Sequence, residues 1–192
     1  MDAADFGVPQ RRHRMILLAG RFGPTSFASP EIERCSVRDA IGSLPPAGQS
    51  GDPLHDLSEK RSERIMDLIR SVPKDGGSRR DLGYDRQLAC HMKCDGFSDV
   101  YGRMTWSDVA PTITSGCFNP SKGRFLHPEQ DRAVTLREAA LLQAFPRDYF
   151  FSQRRGKQAA AELIGNALPP EFVQRHAQSI ISYLSSVGGQ GS

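Results

Sequence analysis

The chain has 192 residues, enough for one domain with a real core, or for one domain and a piece of another. Apolar residues make up 38%, low for a self-sufficient globule, and no apolar run approaches the ~18 residues of a membrane span. The net charge of +3 does not by itself point to a polyanion, but the cations cluster as Arg11, Arg12 and Arg14, then Arg79 and Arg80, then Arg154 and Arg155.

The stretch ADFGVPQRRHRMILLAG, residues 4–20, welds the first cluster to an apolar run. Met15, Ile16, Leu17 and Leu18, bounded by Gly20, predict a fully buried strand over residues 11–19. Strand alternation would put Arg12 and Arg14 on one face, Arg11 and His13 on the other. In CSVRDAIGSLPP, Ser36 and Asp39 form a capping box, and Gly42 with Pro45-Pro46 ends a short helix. A second helix is expected from Ser58, with Ile65, Leu68, Ile69 and Val72 at helical spacing and Pro73 as its stop. From Lys74 to about Arg132 the chain is rich in Gly, Asp, Ser and Pro, which predicts loops and short strands of the recognition type rather than core.

Order returns at TLREAALLQAFP, where Thr135 and Glu138 make a capping box and Pro146 follows the end. A further helix is expected over Lys157–Ile164, ahead of GNALPP. The last runs from Pro170 to about Ser186, with Val173, Ala177, Ile180, Ile181, Leu184 and Val187 on its apolar face. The four cysteines form no dense framework, which suits a reducing cytosol, and the N-terminus has no signal-peptide layout. Cys90, His91 and Cys94 hint at zinc, but no second ligand pair matches them, so no metal site is expected.

Three segments, in this order, resemble the DNA (cytosine-5) methyltransferases. ADFGVPQRRHRMILLAG is similar to that family's Gln-x-Arg-x-Arg block, RAVTLREAALLQAFP to its penultimate block and LIGNALPP to its final one. GRMTWSDVAPTITSGCFNPSKGRFLHPEQDR, lying between, resembles the end of the target-recognition region. The resemblance covers nearly the whole chain. It implies enzymes that flip a cytosine out of duplex DNA, attack C6 with a cysteine thiolate and methylate C5 from S-adenosylmethionine.

Carried over by motif position, Arg14 should reach the flipped cytosine, and Arg12 should support the pocket or a phosphate, with Gln10 in the same loop. Thr112, or Thr114 if the register shifts, should touch a phosphate beside the target. Gly165, Asn166 and Ala167 should border the methionine part of the cofactor. Arg137 and Glu138 should organise the recognition region through buried polar bonds. Specificity should lie between about Gly76 and Arg124, where Arg79, Arg80 and Arg103 are the candidate DNA contacts.

The family's earlier blocks, with the Gly-rich cofactor loop, the Pro-Cys nucleophile and the Glu-Asn-Val glutamate, have no counterpart here, and no cysteine follows a proline. The resemblance therefore implies an α/β fold in part: residues 1–22 as the last strand region of the catalytic domain, 23–132 as a small, irregular target-recognition region, and 133–192 as C-terminal helices returning to the catalytic domain. The expected activity is that of a C-terminal portion or subunit, inactive alone, cytoplasmic, acting on double-stranded DNA with an N-terminal subunit that carries the nucleophile. An exposed apolar patch is expected where the missing sheet would pack. The alternative is a DNA-binding remnant without catalysis.

Overall fold

Two of the helices begin at a capping box written in the sequence. In the computed structural model, which describes residues 1–188 except 22, 24, 32, 58, 84, 85, 87 and 89–98, the first helix is α1, Val37–Ile41. The Ser36 hydroxyl accepts from the Asp39 amide at 3.2 Å, and the Asp39 carboxylate accepts from the Ser36 amide at 2.8 Å, as the capping box requires. Helix α2, Glu63–Ser71, starts later than its expected Ser58, which lies outside the described residues; Pro73 follows its end. Helix α3, Leu136–Leu142, carries the expected Thr135–Glu138 box. Helix α4, Gly156–Asn166, and helix α5, Pro170–Gly188, complete the order.

Three apolar clusters hold these pieces. The main one joins α1, α3 and α4 through Val37, Ile41, Leu136, Ala139, Leu142, Ala160 and Ile164. The loop-rich middle contributes Met104, Ile113, Cys117 and Phe125 to it, so that segment builds core as well as surface, against the sequence expectation. A second cluster seats Leu68 and Ile69 of α2, with Val72 just past its end, on Val100, Tyr101 and Leu126. The third packs Ala3, Phe6 and Val8 on Phe172 of α5, with the Phe6 and Phe172 rings edge-on at 5.3 Å. Each such buried aromatic or branched side chain stabilises by roughly 1.5–3 kcal/mol.

One expectation needs correction. Residues 11–19 form no strand: the one bridge there pairs Asp2 with His13, and among the described residues no hydrogen bond reaches the backbone of 15–19. Met15 is 96% and Leu17 87% exposed, while Ile16 and Leu18 are half-buried. The run is extended and alternating instead of buried on both faces, because nothing among the described residues covers its outer side. Among the described residues, the backbone of 15–19 likewise has no neighbour to complete a ladder. Helix α5 leaves much of its expected apolar face exposed. It seats through Phe172 and His176, with Ser179 donating to the Ser26 carbonyl at 3.0 Å, whereas Val173, Ile181 and Leu184 of the expected face are 45%, 62% and 47% exposed.

Candidate functional site

The Gln-x-Arg-x-Arg segment is laid against APTIT by backbone pairing. The Arg11 amide donates to Ala110 O at 2.8 Å, and the Ala110 amide donates to Pro9 O at 2.9 Å, so 9–12 run parallel to 110–113. Gln10 then points inward and is fully buried. Its Nε2 donates to Gln143 Oε1 at 2.6 Å and Leu142 O at 3.2 Å, and its Oε1 accepts from the Ile113 amide at 2.8 Å. Gln143 passes the connection on, donating from Nε2 to Ile164 O at 2.7 Å.

Arg12, only 3% exposed, ties the same pieces a second time. Its Nη1 donates to Ile113 O at 3.0 Å and its Nη2 to Gly165 O at 2.9 Å. Its amide donates to the Asp2 carboxylate at 2.8 Å. Burial lowers the Arg12 pKa from its ordinary value, and the charge of nearby Arg14 lowers it further. A guanidinium can sit here because carbonyl acceptors face its ends; Arg12 Nε is buried without a partner among the described residues. Gly165 makes the arrangement possible. A Cβ there would lie 2.4 Å from both the Thr114 carbonyl carbon and the Ser115 nitrogen, so only glycine lets α4 come this close.

Four segments far apart in sequence therefore meet at one buried polar knot, and the exposed candidates lie around it. Arg14 is exposed; its Nη1 donates to His13 O at 2.7 Å, and it makes no ion pair among the described residues. Arg12 is buried and Arg14 exposed, although the chain is still paired at Arg14, whose amide donates to Met1 O at 2.8 Å. Thr112 is exposed and donates to Arg11 O at 2.6 Å, and exposed Thr114 accepts from the Gly116 amide at 3.3 Å. Asn166 is exposed and Ala167 half-buried at the end of α4.

The recognition candidates divide. Arg80 is exposed, but Arg79 is buried. Arg103 is fully buried, and its five N–H donors serve Val72 O, His127 O, Gln130 O, Ile69 O and the Asp131 carboxylate at 2.5–3.1 Å. It has no donor left for DNA, which corrects the expectation placed on it. Gly165 has its carbonyl taken by Arg12, and its α-carbon faces the backbone of Thr114 and Ser115.

Arg137 and Glu138 both make buried polar bonds. Arg137 pairs with Asp52 and donates to Tyr149 O at 2.9 Å. Glu138 accepts from Arg132 at 2.7 and 2.6 Å and from the Thr135 amide at 2.7 Å. Burial pushes the Glu138 carboxyl up, but the bonds to Arg132 and the surrounding positive charge hold it below its ordinary value. His127 Nδ1 accepts from the amides of Glu129 and Gln130 at 3.1 and 3.0 Å, and burial lowers the ring to about 4.

Neither described cysteine suits nucleophilic work. Cys117 sits in the core with its thiol pushed up to about 12 by burial, and burial raises half-buried Cys35 as well, with Asp39 and Glu31 adding to it. Cys90, His91 and Cys94 lie outside the described residues, and among the described ones no cluster of metal-binding side chains occurs. Sequence reasoning missed Gln143 and Asp2. A glutamine closing the apolar run of LLQAF was the available signal for the first; nothing marked the second.

Comparison with known proteins fits this geometry. A model of the C-5 cytosine-specific DNA methylases matches residues 1–182. The chain is 41% identical over 196 residues to the Type II methylase M.HgiDII of Herpetosiphon aurantiacus, covering 95% of this chain and 54% of that protein. It is 43% identical over 184 residues to the Type II methyltransferase M1.BsuMI of Bacillus subtilis, covering 90% and 40% respectively. A crystal structure described as a prophage-encoded DNA modification methyltransferase (E. coli) superposes with a TM-score of 0.60 at 17% identity, over 96% of this chain and 59% of that one, which shows the methyltransferase fold. The chain spans about half the length of the curated relatives it matches.

Proposed function

The chain belongs to the C-5 cytosine-specific DNA methylase family, and from that premise we propose that it is the C-terminal portion of a DNA (cytosine-5) methyltransferase, the nucleophilic cysteine being carried by an N-terminal part. The observation that carries this reading is the knot of Gln10, Arg12, Gln143 and Gly165, which fastens the Gln-x-Arg-x-Arg, recognition-end, penultimate and final blocks into one body. Around it Arg14, Thr112 and Thr114 stay exposed.

In this reading Arg14 holds the extruded cytosine, since its guanidinium is solvent-facing and can give directional bonds to a ring oxygen or a phosphate. Arg12 does not touch DNA; it fixes the loop that aims Arg14. Thr112 and Thr114 meet the backbone beside the target, and Arg80 belongs to the recognition surface. Residues 1–22 and 133–192 belong to the catalytic domain and 23–132 to target recognition.

S-adenosylmethionine is the methyl donor of this chemistry. The residues here fit it only at one edge: the exposed amide of Asn166 and the neighbouring Ala167 can border its methionine end, whereas Gly165 is engaged in packing. The rest of the cofactor site and the thiol belong to the N-terminal part. Exposed Met15, Leu17, Val173, Ile181 and Leu184 are the apolar surface that part would cover, with residues 15–19 supplying an unpaired backbone edge as an α/β sheet needs. A cytoplasmic setting suits a DNA-directed enzyme with free thiols.

The test is methyl transfer in an enzyme reconstituted from this chain and an N-terminal part. Arg14→Ala should abolish transfer while leaving the melting temperature unchanged. Retained transfer by that variant would refute the role given to Arg14. Sequence-specific DNA binding with no methylation under any reconstitution would favour the remnant reading instead.

A further inference from the structure

Arg11 sits between two residues given roles above, and neither the sequence motif nor the buried knot uses its side chain. Its carbonyl receives the Thr112 hydroxyl at 2.6 Å, so the two residues are neighbours across the parallel pairing. Along 112–116 the outward residues are Thr112 and Thr114, with Ile113 buried between them. Gly116 continues the row: a Cβ built there lies 3.0 Å from Lys122 Cβ, and Lys122 is exposed. Arg11, Thr112, Thr114 and Lys122 therefore form one outward polar row with a cation at each end.

The Arg11 guanidinium is not free along this row. Its Nη2 lies 3.4 Å from both carboxylate oxygens of Asp108, with the two side chains 55% and 56% exposed. That separation exceeds the ~2.7–2.9 Å of a strong charge-assisted bond. The carboxylate is the fixed partner: it accepts from the Val109 amide at 2.7 Å, and the Asp108 carbonyl accepts from the Val37 amide at 2.9 Å, anchoring the residue to the start of α1. The guanidinium is the loose one. The pair borders an open cleft of about 260 Å³ that Thr105 and Pro111 also line.

We propose that Arg11 is a phosphate-binding residue for the DNA backbone running along the Thr112–Thr114 row, and that Asp108 is its built-in competitor, holding the guanidinium until a phosphate displaces it. An exposed ion pair of this kind is weak, so a phosphate oxygen can replace the carboxylate readily. Asp108 then lowers affinity for any duplex by the same increment, and discrimination passes to the contacts that read bases. This inference rests on the DNA-binding reading above.

The test is binding of the full chain to a random-sequence duplex by fluorescence anisotropy across a potassium chloride series. One phosphate contact contributes about 0.9 to the slope of log affinity against log salt. Arg11→Gln should reduce the slope magnitude by about that amount, and Arg11→Lys should retain it. Asp108→Asn should tighten binding by about two- to five-fold, within the worth of an exposed pair, and the Arg11→Gln, Asp108→Asn double variant should bind as Arg11→Gln does. An unchanged slope in Arg11→Gln, or unchanged or weaker binding in Asp108→Asn, overturns the proposal while wild-type binding stands. Absence of salt-dependent binding by the wild-type chain overturns it together with the DNA-binding reading. Thermal melting of each variant confirms the fold, which surface changes at these positions should leave intact.

Discussion

Gly165→Ala is the substitution whose consequence follows most directly from the geometry. In an ordinary helix the change would stabilise by about 0.8–1 kcal/mol, since alanine is the better helix former. Here the new methyl carbon would stand 2.4 Å from two backbone atoms of Thr114 and Ser115 and 2.8 Å from the Thr114 carbonyl oxygen. Backbone cannot rotate away as a side-chain tip can, so α4 must withdraw from residues 114–115. Overpacking of this sort costs about 1–3 kcal/mol. Withdrawal also stretches the Arg12–Gly165 bond, a charged hydrogen bond of the kind worth about 1.5–3 kcal/mol. Set against the helix gain, the net loss is about 2–4 kcal/mol, or roughly 5–15 °C in melting temperature for a domain of this size. Differential scanning calorimetry measures it, with Gln158→Ala on the exposed side of the same helix as the control expected to be nearly neutral. A Gly165→Ala protein as stable as wild type would show that the close approach of α4 is not what demands glycine.

Arg12→Met should destabilise by about 2–4 kcal/mol in urea unfolding, because two buried carbonyls lose their donors, whereas Arg14→Ala should fall within about 0.5 kcal/mol of wild type. Arg103→Met should be at least as damaging, leaving the Asp131 carboxylate and several carbonyls short of partners, and it should not alter the salt dependence of DNA binding. His127 supplies a pH effect. Its folded value of about 4 is below the ordinary 6.5, so the unfolded chain takes up the proton first on acidification. Its contribution is complete above about pH 6.5 and shrinks by roughly 3 kcal/mol as pH falls to 4. Glu138, also lowered, adds its own loss below the ordinary carboxylate range. His127→Gln should flatten the upper part of that decline in a series of melts from pH 7 to 4.

The caps and stops of the helices were written locally and could be read. Ser36 with Asp39 and Thr135 with Glu138 need only residues three apart, and Pro73 and Pro170 act on their own turns. What depends on distant chain could not be read. Met15 and Leu17 look like core in sequence, but burial on both sides requires neighbours that the described residues do not supply. The periodicity of α5 permits two apolar faces, and only the position of Phe6 decides that Phe172 and His176 are the ones seated. Arg12 and Arg103 carried the composition of a DNA contact and became internal ties, because carbonyls from Ile113, Gly165, Val72 and Ile69 converge on them from far along the chain. Arg14, by contrast, keeps the exposure that its motif position implies.

The division of labour between two polypeptide parts is tested most directly by counting tritiated methyl groups placed on C5 of cytosine in duplex DNA. This chain is assayed alone and after refolding with the portion of M.HgiDII outside the matched region. Incorporation only in the combined sample, and lost there with Arg14→Ala, is the predicted result; incorporation by the rigorously purified chain alone would contradict it.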